Sequence, residues 1–136
     1  MSRTPRIVVA DSDRALLEML QIRLNLAGYE TLIVRTGPAA LDLVKVARPC
    51  VLISEIQLPE LDGFGLLEEL RLSHDLDCCQ VMMMARRLAP EDVRRAAVLG
   101  VKTCVAKPFS GADMLDRVAK LSNRNAPAPA TAVVWV

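Results

Sequence analysis

The stretch Ile7-Val8-Val9-Ala10-Asp11-Ser12-Asp13 sets four apolar residues directly before a cluster of polar ones. A short and uniformly apolar run is typical of a strand that is buried on both faces, as the strands of parallel sheets are. In open parallel sheets, ligands bind beyond the carboxyl ends of the strands. The stretch therefore predicts a parallel α/β sheet and marks Asp11 to Asp13 as part of a candidate site.

Similar apolar runs recur four more times, and helical patterns of apolar residues separate them. This alternation is typical of βαβ units. In 136 residues it predicts one α/β domain with a flavodoxin-like (βα)5 doubly wound parallel sheet of strand order 2-1-3-4-5. The predicted strands are Ile7 to Ala10, Thr31 to Val34, Val51 to Ser54, Val81 to Ala85 and Thr103 to Ala106.

The helical pattern ends near Leu121, and the residues that follow are rich in Asn, Pro and Ala. Pro127 and Pro129 disfavour a helix, and little apolar surface is present to offset the entropy of ordering. We therefore expect residues 1–122 to form the domain and residues 123–136 to form a flexible Ala/Pro-rich tail or linker. Its apolar end, Val133 to Val136, is a candidate for docking on the domain or on another protein.

The charge balance excludes some classes of partner. Seventeen Lys and Arg against sixteen Asp and Glu leave a net charge of +1, which gives no general electrostatic reason to bind nucleic acid or an anionic membrane. No apolar run approaches the ~20 residues of a membrane span, and the first residues lack the apolar segment of a signal peptide. We predict a cytoplasmic protein that recognises its partners through local surface features.

Four charged residues, Asp11, Asp13, Glu55 and Lys107, follow predicted strands and should meet at one edge of the sheet. Carboxylates are suitable ligands for Mg²⁺, and a lysine beside them can bind a phosphoryl oxygen as a point charge. The alternative is that strand-end charges only solvate the edge and cap helices, with Asp13 capping a helix that begins near Ala15. The placement favours a cation and phosphate site.

Three motifs occur in order along the chain: the stretch Ile7 to Asp13, then Leu58-Pro59-Glu60-Leu61-Asp62-Gly63, then Lys107-Pro108-Phe109. Together they resemble the signatures of the receiver domains of bacterial response regulators, over about Arg6 to Leu121. The resemblance implies a CheY-like fold and a role in two-component signalling or a phosphorelay. In that family an aspartate after the third strand holds Mg²⁺ with an acidic pair and accepts a phosphoryl group from a histidine kinase.

Only part of the family's site occupies the matching positions. The positions carried over are the acidic pair Asp11 and Ser12, the phosphoacceptor position Glu55, the switch positions Ala85 and Cys104, and the lysine Lys107. The family has a second acid, an aspartate, a hydroxyl and an aromatic residue where this chain has Ser12, Glu55, Ala85 and Cys104. Only Asp11 and Lys107 keep the identity that the resemblance implies.

These differences have physical consequences. Ser12 removes a charged ligand from the Mg²⁺ site, and Ala85 has no hydroxyl for a phosphoryl oxygen. Glu55 is one methylene longer than aspartate, and a positioning error of ~1 Å can cost about a hundredfold in rate. We therefore predict an atypical receiver, or pseudo-receiver, that is not phosphorylated in the usual way. It should need no cofactor and bind Mg²⁺ through Asp11 and Glu55 weakly, if at all.

The predicted function is a signalling protein–protein interaction module and not an enzyme. The expected partner is a signalling protein, either a histidine kinase or an output domain. The resemblance also suggests a homodimer through the fourth helix, the fifth strand and the fifth helix. This hypothesis has two versions. In the simpler version the domain presents a fixed surface. In the more specific version Glu55 reaches Lys107 and permanently imitates the charge of a phosphoryl group.

Two alternatives remain open from the residues. One is a conventional phosphorelay receiver that is phosphorylated weakly and with Mg²⁺ at Glu55. The other is a phosphatase, because Asp11-Ser12-Asp13 also resembles the Asp-x-Asp motif of haloacid-dehalogenase-type enzymes. There Asp11 would attack phosphorus and Asp13 would serve as acid and base, although the chain lacks that family's cap insertion and second acidic pair.

Overall fold

The structure is a computed structural model that describes residues 4–122 and 132–134. Strands and helices alternate along the chain, and all paired strands are parallel. The strands are β1 (Arg6–Ala10), β2 (Glu30–Val34), β3 (Val51–Glu55), β4 (Gln80–Ala85), β5 (Thr103–Ala106) and β6 (Ala132–Val134). The helices are α1 (Arg14–Leu26), α2 (Gly37–Ala47), α3 (Gly63–Leu72), α4 (Pro90–Val98) and α5 (Gly111–Ser122).

The first five strands lie in the order β2-β1-β3-β4-β5, which confirms the predicted doubly wound, flavodoxin-like fold. Two apolar layers cover the sheet. One contains α1 and α5, and the other contains α2, α3 and α4. Successive residues of β4 alternate between the layers: Met82 and Met84 face the first and Met83 the second, all fully buried. No helix among the described residues is both long and apolar enough to cross a membrane.

The sixth strand, β6, extends the sheet beyond the predicted five. It lies parallel to β5, with Thr103, Cys104 and Val105 opposite Ala132, Val133 and Val134 in register. These three residues of the predicted tail or linker pair with the sheet, and two of them belong to the apolar end, Val133 to Val136, that the sequence marks as a candidate for docking on the domain. The physical reason is that β5 would otherwise leave one row of backbone groups unpaired, which attracts an extended segment. Residues 123–131 and 135–136 lie outside the described residues.

Backbone contacts at the carboxyl edge fix the loops that carry the polar side chains. The Gly63 N–H donates to the Ile56 carbonyl oxygen at 2.7 Å, and a Cβ on Gly63 would lie 2.5 Å from the Glu55 carbonyl oxygen. Only glycine allows this close approach. The Lys107 N–H donates to the Ala85 carbonyl oxygen at 2.8 Å, directly before a cis peptide bond to Pro108. The ends of β3 and β5 are therefore held in place.

The start of α1 depends on Asp13. Its Oδ1 accepts hydrogen bonds from the N–H groups of Ala15 at 3.0 Å and Leu16 at 3.3 Å, and its backbone is extended, as an N-cap requires. The predicted capping role is confirmed, and the helix begins at Arg14, one residue earlier than the sequence suggested. This side chain is thereby committed to the helix end.

The cap gives a stability prediction. We expect Asp13→Ala to lower the free energy of unfolding by about 1 kcal/mol, because two helical N–H groups lose their acceptor. Asp13→Asn, which keeps a capping oxygen, should cost much less. Urea unfolding followed by circular dichroism compares the two variants. Equal losses in both would show that the carboxylate charge, and not the cap, is what matters at this position.

Candidate functional site

Three charged side chains meet beyond the carboxyl ends of neighbouring strands. Asp11 follows β1, Glu55 ends β3, and Lys107 follows β5. The chain turns from β1 to β2 on one side and continues from β3 to β4 on the other, so the gap between β1 and β3 is the point at which strand order reverses. Open α/β sheets bind ligands at this point. The sequence predicted a meeting of Asp11, Asp13, Glu55 and Lys107. The structure brings together three of them, whereas the Asp13 side chain caps α1 and does not join the site.

The Lys107 ammonium lies between the two carboxylates. Its Nζ is 2.7 Å from Asp11 Oδ2 and 2.9 Å from Glu55 Oε2. The side chains are 13%, 0% and 10% exposed for Lys107, Asp11 and Glu55 respectively, so water screens these contacts little. The two buried carboxylates repel each other, so both depend on the Lys107 ammonium between them. We call Asp11, Glu55 and Lys107 the buried ion triad.

Ser12 completes the contacts of Glu55. Its backbone N–H and its hydroxyl both donate to Glu55 Oε1, at 3.0 and 2.7 Å. Asp11 Oδ1 in turn accepts the Asp13 N–H at 2.8 Å. Three of the four carboxylate oxygens of Asp11 and Glu55 therefore accept a hydrogen bond, whereas the buried Asp11 Oδ2 has the Lys107 ammonium beside it as an ion pair without hydrogen-bond geometry. The sequence identified Ser12 only as a lost carboxylate and missed its second role as a donor to Glu55.

These contacts shift the pKa of two of the three groups toward the charged form. For Glu55, burial acts to raise the pKa, but hydrogen bonds from Lys107 and Ser12 outweigh it and hold the pKa below its usual 4.5. For Lys107, burial acts to lower the pKa, but hydrogen bonds to Asp11 and Glu55 raise it above its usual 10.5. At neutral pH, Glu55 is negative and Lys107 is positive.

Asp11 responds in the other direction. Burial raises its pKa above the usual 3.8, and the hydrogen bond from Lys107 and that from the Asp13 backbone offset this only in part. The difference follows from geometry, because Asp11 is fully buried while Glu55 lies at the rim and receives three hydrogen bonds. Lys107 therefore pairs with the Glu55 carboxylate, whose ionised form is favoured, and with the Asp11 carboxylate, whose ionisation depends on Lys107.

The two switch positions are apolar and buried. Ala85 ends β4 with 6% exposure, and it offers no hydroxyl to the site. Cys104, in β5, is fully buried, and burial raises the pKa of its thiol to about 11, with a further contribution from Asp92. A neutral and enclosed thiol neither reacts readily nor moves to the surface as an aromatic side chain could.

An open cleft of about 250 Å³ lies next to the buried ion triad. Its lining residues are Ser12, Glu55, Gln57, Ala85, Arg86 and Arg87. Arg86 and Arg87 are exposed, so the cleft has cationic residues in its lining as well as Glu55. Their position directly after β4 places them at the carboxyl edge of the sheet, which the sequence marks at residues 85–88.

Protein groups engage the oxygens that a Mg²⁺ ion would need. The oxygens of Asp11 and Glu55 face a lysine ammonium and protein N–H or O–H donors, and a cation needs several of those oxygens free. Asp13, the nearest further carboxylate in sequence, caps α1. Within residues 4–122 and 132–134, no group of three or more His, Cys, Asp or Glu side chains is arranged to hold a metal. In this arrangement Lys107 occupies the place beside both carboxylates and offsets one of their two charges.

Comparison with known sequences agrees with the geometry. A model of the response regulator receiver domain matches residues 7–119. Response regulator MprA of Mycobacterium sp. (strain KMS) is 33% identical over 122 residues, covering 90% of this chain and 52% of the relative. A probable transcriptional regulator, ycf27, of Cyanophora paradoxa is 29% identical over 119 residues, covering 88% and 48%. The chain spans about half the length of the curated relatives it matches.

Solved structures give the same fold. The chemotaxis protein CheY4 of Vibrio cholerae superposes with a TM-score of 0.82 at 23% identity, over 88% of this chain and 99% of that one. The receiver domain of the Francisella response regulator 1452 gives 0.81 at 26% identity, over 89% and 98%. The likeness to CheY4 concerns the fold alone. Together with the sequence matches, it confirms the CheY-like fold implied by the motifs.

The buried ion triad gives a prediction with a defined pH dependence. We expect Lys107→Met to lower the free energy of unfolding by about 3–5 kcal/mol near pH 7, because it leaves two carboxylates buried without a counter-charge. Exposed Lys120, which pairs with Asp116 at 3.3 Å, provides the control, and Lys120→Met should change stability by less than about 0.5 kcal/mol.

The cost of Lys107→Met should shrink as the pH falls. In the native protein, the contribution of Glu55 is present above its usual pKa of 4.5 and is lost as the pH falls through its lowered folded pKa. In the variant, unpaired carboxyls have raised pKa values, so protonation at low pH restores stability. Urea unfolding of both proteins, from neutral pH to below the usual pKa of Glu55, measures the gap, which is the difference between their free energies of unfolding. A gap that widens toward low pH would contradict the assignment of charges.

Proposed function

The chain belongs to the response regulator receiver domain family, and from this premise we propose that it is an atypical receiver whose surface does not depend on phosphorylation. Receiver domains are signalling modules of two-component systems and interact with histidine kinases and output domains. In this chain the module would present one fixed surface to its partner. The observation that carries the proposal is the 2.9 Å ion pair between Lys107 and Glu55.

The ion pair supports the proposal because phosphotransfer needs the same groups in other roles. A carboxylate that attacks phosphorus must offer a free oxygen, and a lysine that binds the phosphoryl group must be available to it. Here Lys107 already binds Glu55, and Ser12 donates two hydrogen bonds to the other oxygen. The absent hydroxyl at Ala85 removes a further contact. The negative charge that phosphorylation would add beside Lys107 is supplied instead by Glu55.

Contacts between α3 and α4 support a fixed surface. The Arg95 guanidinium lies 4.5 Å from the centre of the Phe64 ring and 3.1 Å from Glu68 Oε1. Arg71 of α3 donates to the Val98 carbonyl oxygen at 3.1 Å, which satisfies the carboxyl end of α4. These contacts join two helices that pack on the same face of the sheet. These partly exposed contacts favour one placement of α4 against α3, which agrees with a surface that does not change.

The partner class follows from the family and from the charge of the chain. We propose a protein partner, either a histidine kinase or an output domain, and no direct nucleic-acid contact, since the net charge is only +1. An output domain could lie in the same polypeptide or in another one. A homodimer through α4, β5 and α5 belongs to the same proposal, as does a cytoplasmic location. An interaction module needs no catalytic step of its own.

Weak phosphorylation at Glu55 is the second candidate. It is favoured by one observation, namely that Asp11 and Lys107 keep their family identity and their place beside residue 55. For phosphorylation to occur, Glu55 would have to leave Lys107 and Ser12 at the same time. The loss of three short contacts at a nearly buried site opposes this.

Phosphorylation can be tested directly. We expect no phosphoryl adduct on the protein after incubation with acetyl phosphate and Mg²⁺, as read by intact-mass spectrometry under acid and neutral conditions. We also expect no chemical-shift change on addition of beryllofluoride and Mg²⁺ in an ¹H–¹⁵N NMR titration. The physical reason is that Lys107 and the oxygens of Glu55 are already engaged with one another.

A reconstructed variant provides the matched control. Ser12→Asp, Glu55→Asp and Ala85→Thr together restore the second carboxylate, the shorter acceptor and the hydroxyl on the same scaffold. We expect this triple variant to respond to beryllofluoride at Asp11 and Lys107. Adduct formation on the unmodified chain at a rate similar to that of the triple variant would refute phosphorylation independence and favour the second candidate.

A further inference from the structure

The edge of the sheet at β5 is closed by a strand from the distant end of the chain. β6 has three residues, Ala132–Val134, and pairs in parallel with Thr103 to Val105 of β5. β4 occupies the other side of β5, so β6 lies at the outer edge of the sheet. The way the chain reaches this edge distinguishes β6 from the other strands.

The first five strands are connected with a single hand. From β3 to β5 the chain moves across the sheet in one direction, and α3 and α4 lie on one face. From β1 to β2 it moves in the opposite direction, and α1 lies on the opposite face. Reversal of both the direction and the face leaves the hand unchanged. Crossovers between parallel strands of one sheet are right-handed in about 98% of cases. The hand that these connections share is therefore the right-handed one.

The connection from β5 to β6 has the opposite hand. β6 continues in the direction from β3 to β5, yet α5, which precedes it, packs on the face of α1. The direction across the sheet is unchanged, whereas the helix lies on the opposite face. A β5-α5-β6 unit is therefore left-handed, a geometry that the twist of strands strongly disfavours in an integral βαβ unit. β6 has the topology of a segment added to a finished domain.

We propose that the outer edge of β5 is a docking site for an extended apolar strand, and that Ala132–Val134 of the same chain occupies it as a tethered and displaceable cap. Docking of this kind uses backbone hydrogen bonds to an open sheet edge, as in β-strand addition between proteins. The proposal concerns the sheet edge and does not rest on whether Glu55 is phosphorylated.

The sequences of both strands suit this role. Thr103-Cys104-Val105-Ala106 contains no charged residue and no proline, the features by which proteins protect an open edge. Thr131 to Val136 reads TAVVWV, which is rich in residues that favour strands and also lacks charge and proline. An unprotected edge and a strand-forming segment within one chain would associate. Pairing over only three residues makes that association weaker than that of the longer strands.

The cap has a consequence for recognition. β5 lies between α4 and α5 in the chain, in the region through which the family suggests association with a second copy. While β6 is docked, the backbone groups of β5 on that side are paired and unavailable to another strand. Release of β6 would expose an apolar sheet edge that accepts an extended segment of a partner. The cap therefore controls access to this edge.

Native-state hydrogen exchange of the full chain tests the proposal. We expect Val133→Pro, which removes an N–H and disfavours the strand, to speed exchange of the β5 amides that face β6 by at least about tenfold. Amides of β1 and β3 should keep their protection, and the midpoint of thermal unfolding should change by less than about 2 °C. Ala128→Pro, within a stretch that already contains Pro127 and Pro129, is the control and should leave β5 unchanged.

A peptide with the sequence of Thr131–Val136 should restore the protection of β5 when it is added to the Val133→Pro variant, whereas the same peptide carrying the proline should not. Unchanged β5 exchange in the variant, or failure of the peptide to rescue it, would overturn the docking site. Loss of protection throughout the sheet would show that β6 is an integral strand. Protection that disappears on dilution, together with a dimer mass, would assign the strand to a second copy.

Discussion

The Lys107 ammonium, held 2.7 Å from Asp11 and 2.9 Å from Glu55, is the interaction on which the functional edge depends. Two buried carboxylates next to each other would repel and would lose their hydration, so they coexist only because a cation lies between them. The cation is part of the chain, so it offsets one of the two carboxylate charges without any ligand. In the proposed function, the permanent charge of Glu55 stands where a receiver would gain and lose a phosphoryl charge.

The changes at the site form a coherent set. Ser12 takes the place of an acid and donates to Glu55 twice, and Glu55 is long enough to reach both Ser12 and Lys107. Ala85 and Cys104 are buried and apolar, so neither reports a change at the edge to the surface. The contacts of Arg95 with Phe64 and Glu68 hold α4 against α3. Each feature supports the proposal of a domain with one stable arrangement and a constant surface.

Periodicity and punctuation predicted five alternating strands and helices, and the strand order was inferred from the doubly wound fold that this alternation suggests. The meeting of Asp11, Glu55 and Lys107 followed because strand ends in a parallel sheet share one edge, whereas Asp13, expected there too, caps α1. The role of the Ser12 hydroxyl was missed, since its rotamer and partner depend on the length of Glu55 across the gap between strands. For β6 the sequence indicated only an apolar end that could dock, because the preceding prolines indicated a tail and a sheet edge becomes visible only once the sheet is assembled. The local pattern of apolar residues predicts helices and strands. Contacts between distant side chains and the pairing of a sheet edge can be identified only in the folded structure.

The central claim is that Glu55 and Lys107 satisfy each other in place of a phosphoryl group and Mg²⁺. A ¹³C NMR titration of the Glu55 side-chain carboxyl, with and without Mg²⁺, tests it most directly. The account predicts that Glu55 titrates with a pKa below its usual 4.5 and that Mg²⁺ leaves its signal unchanged. A pKa above that value, or a Mg²⁺-dependent shift of this carbon, would contradict the account.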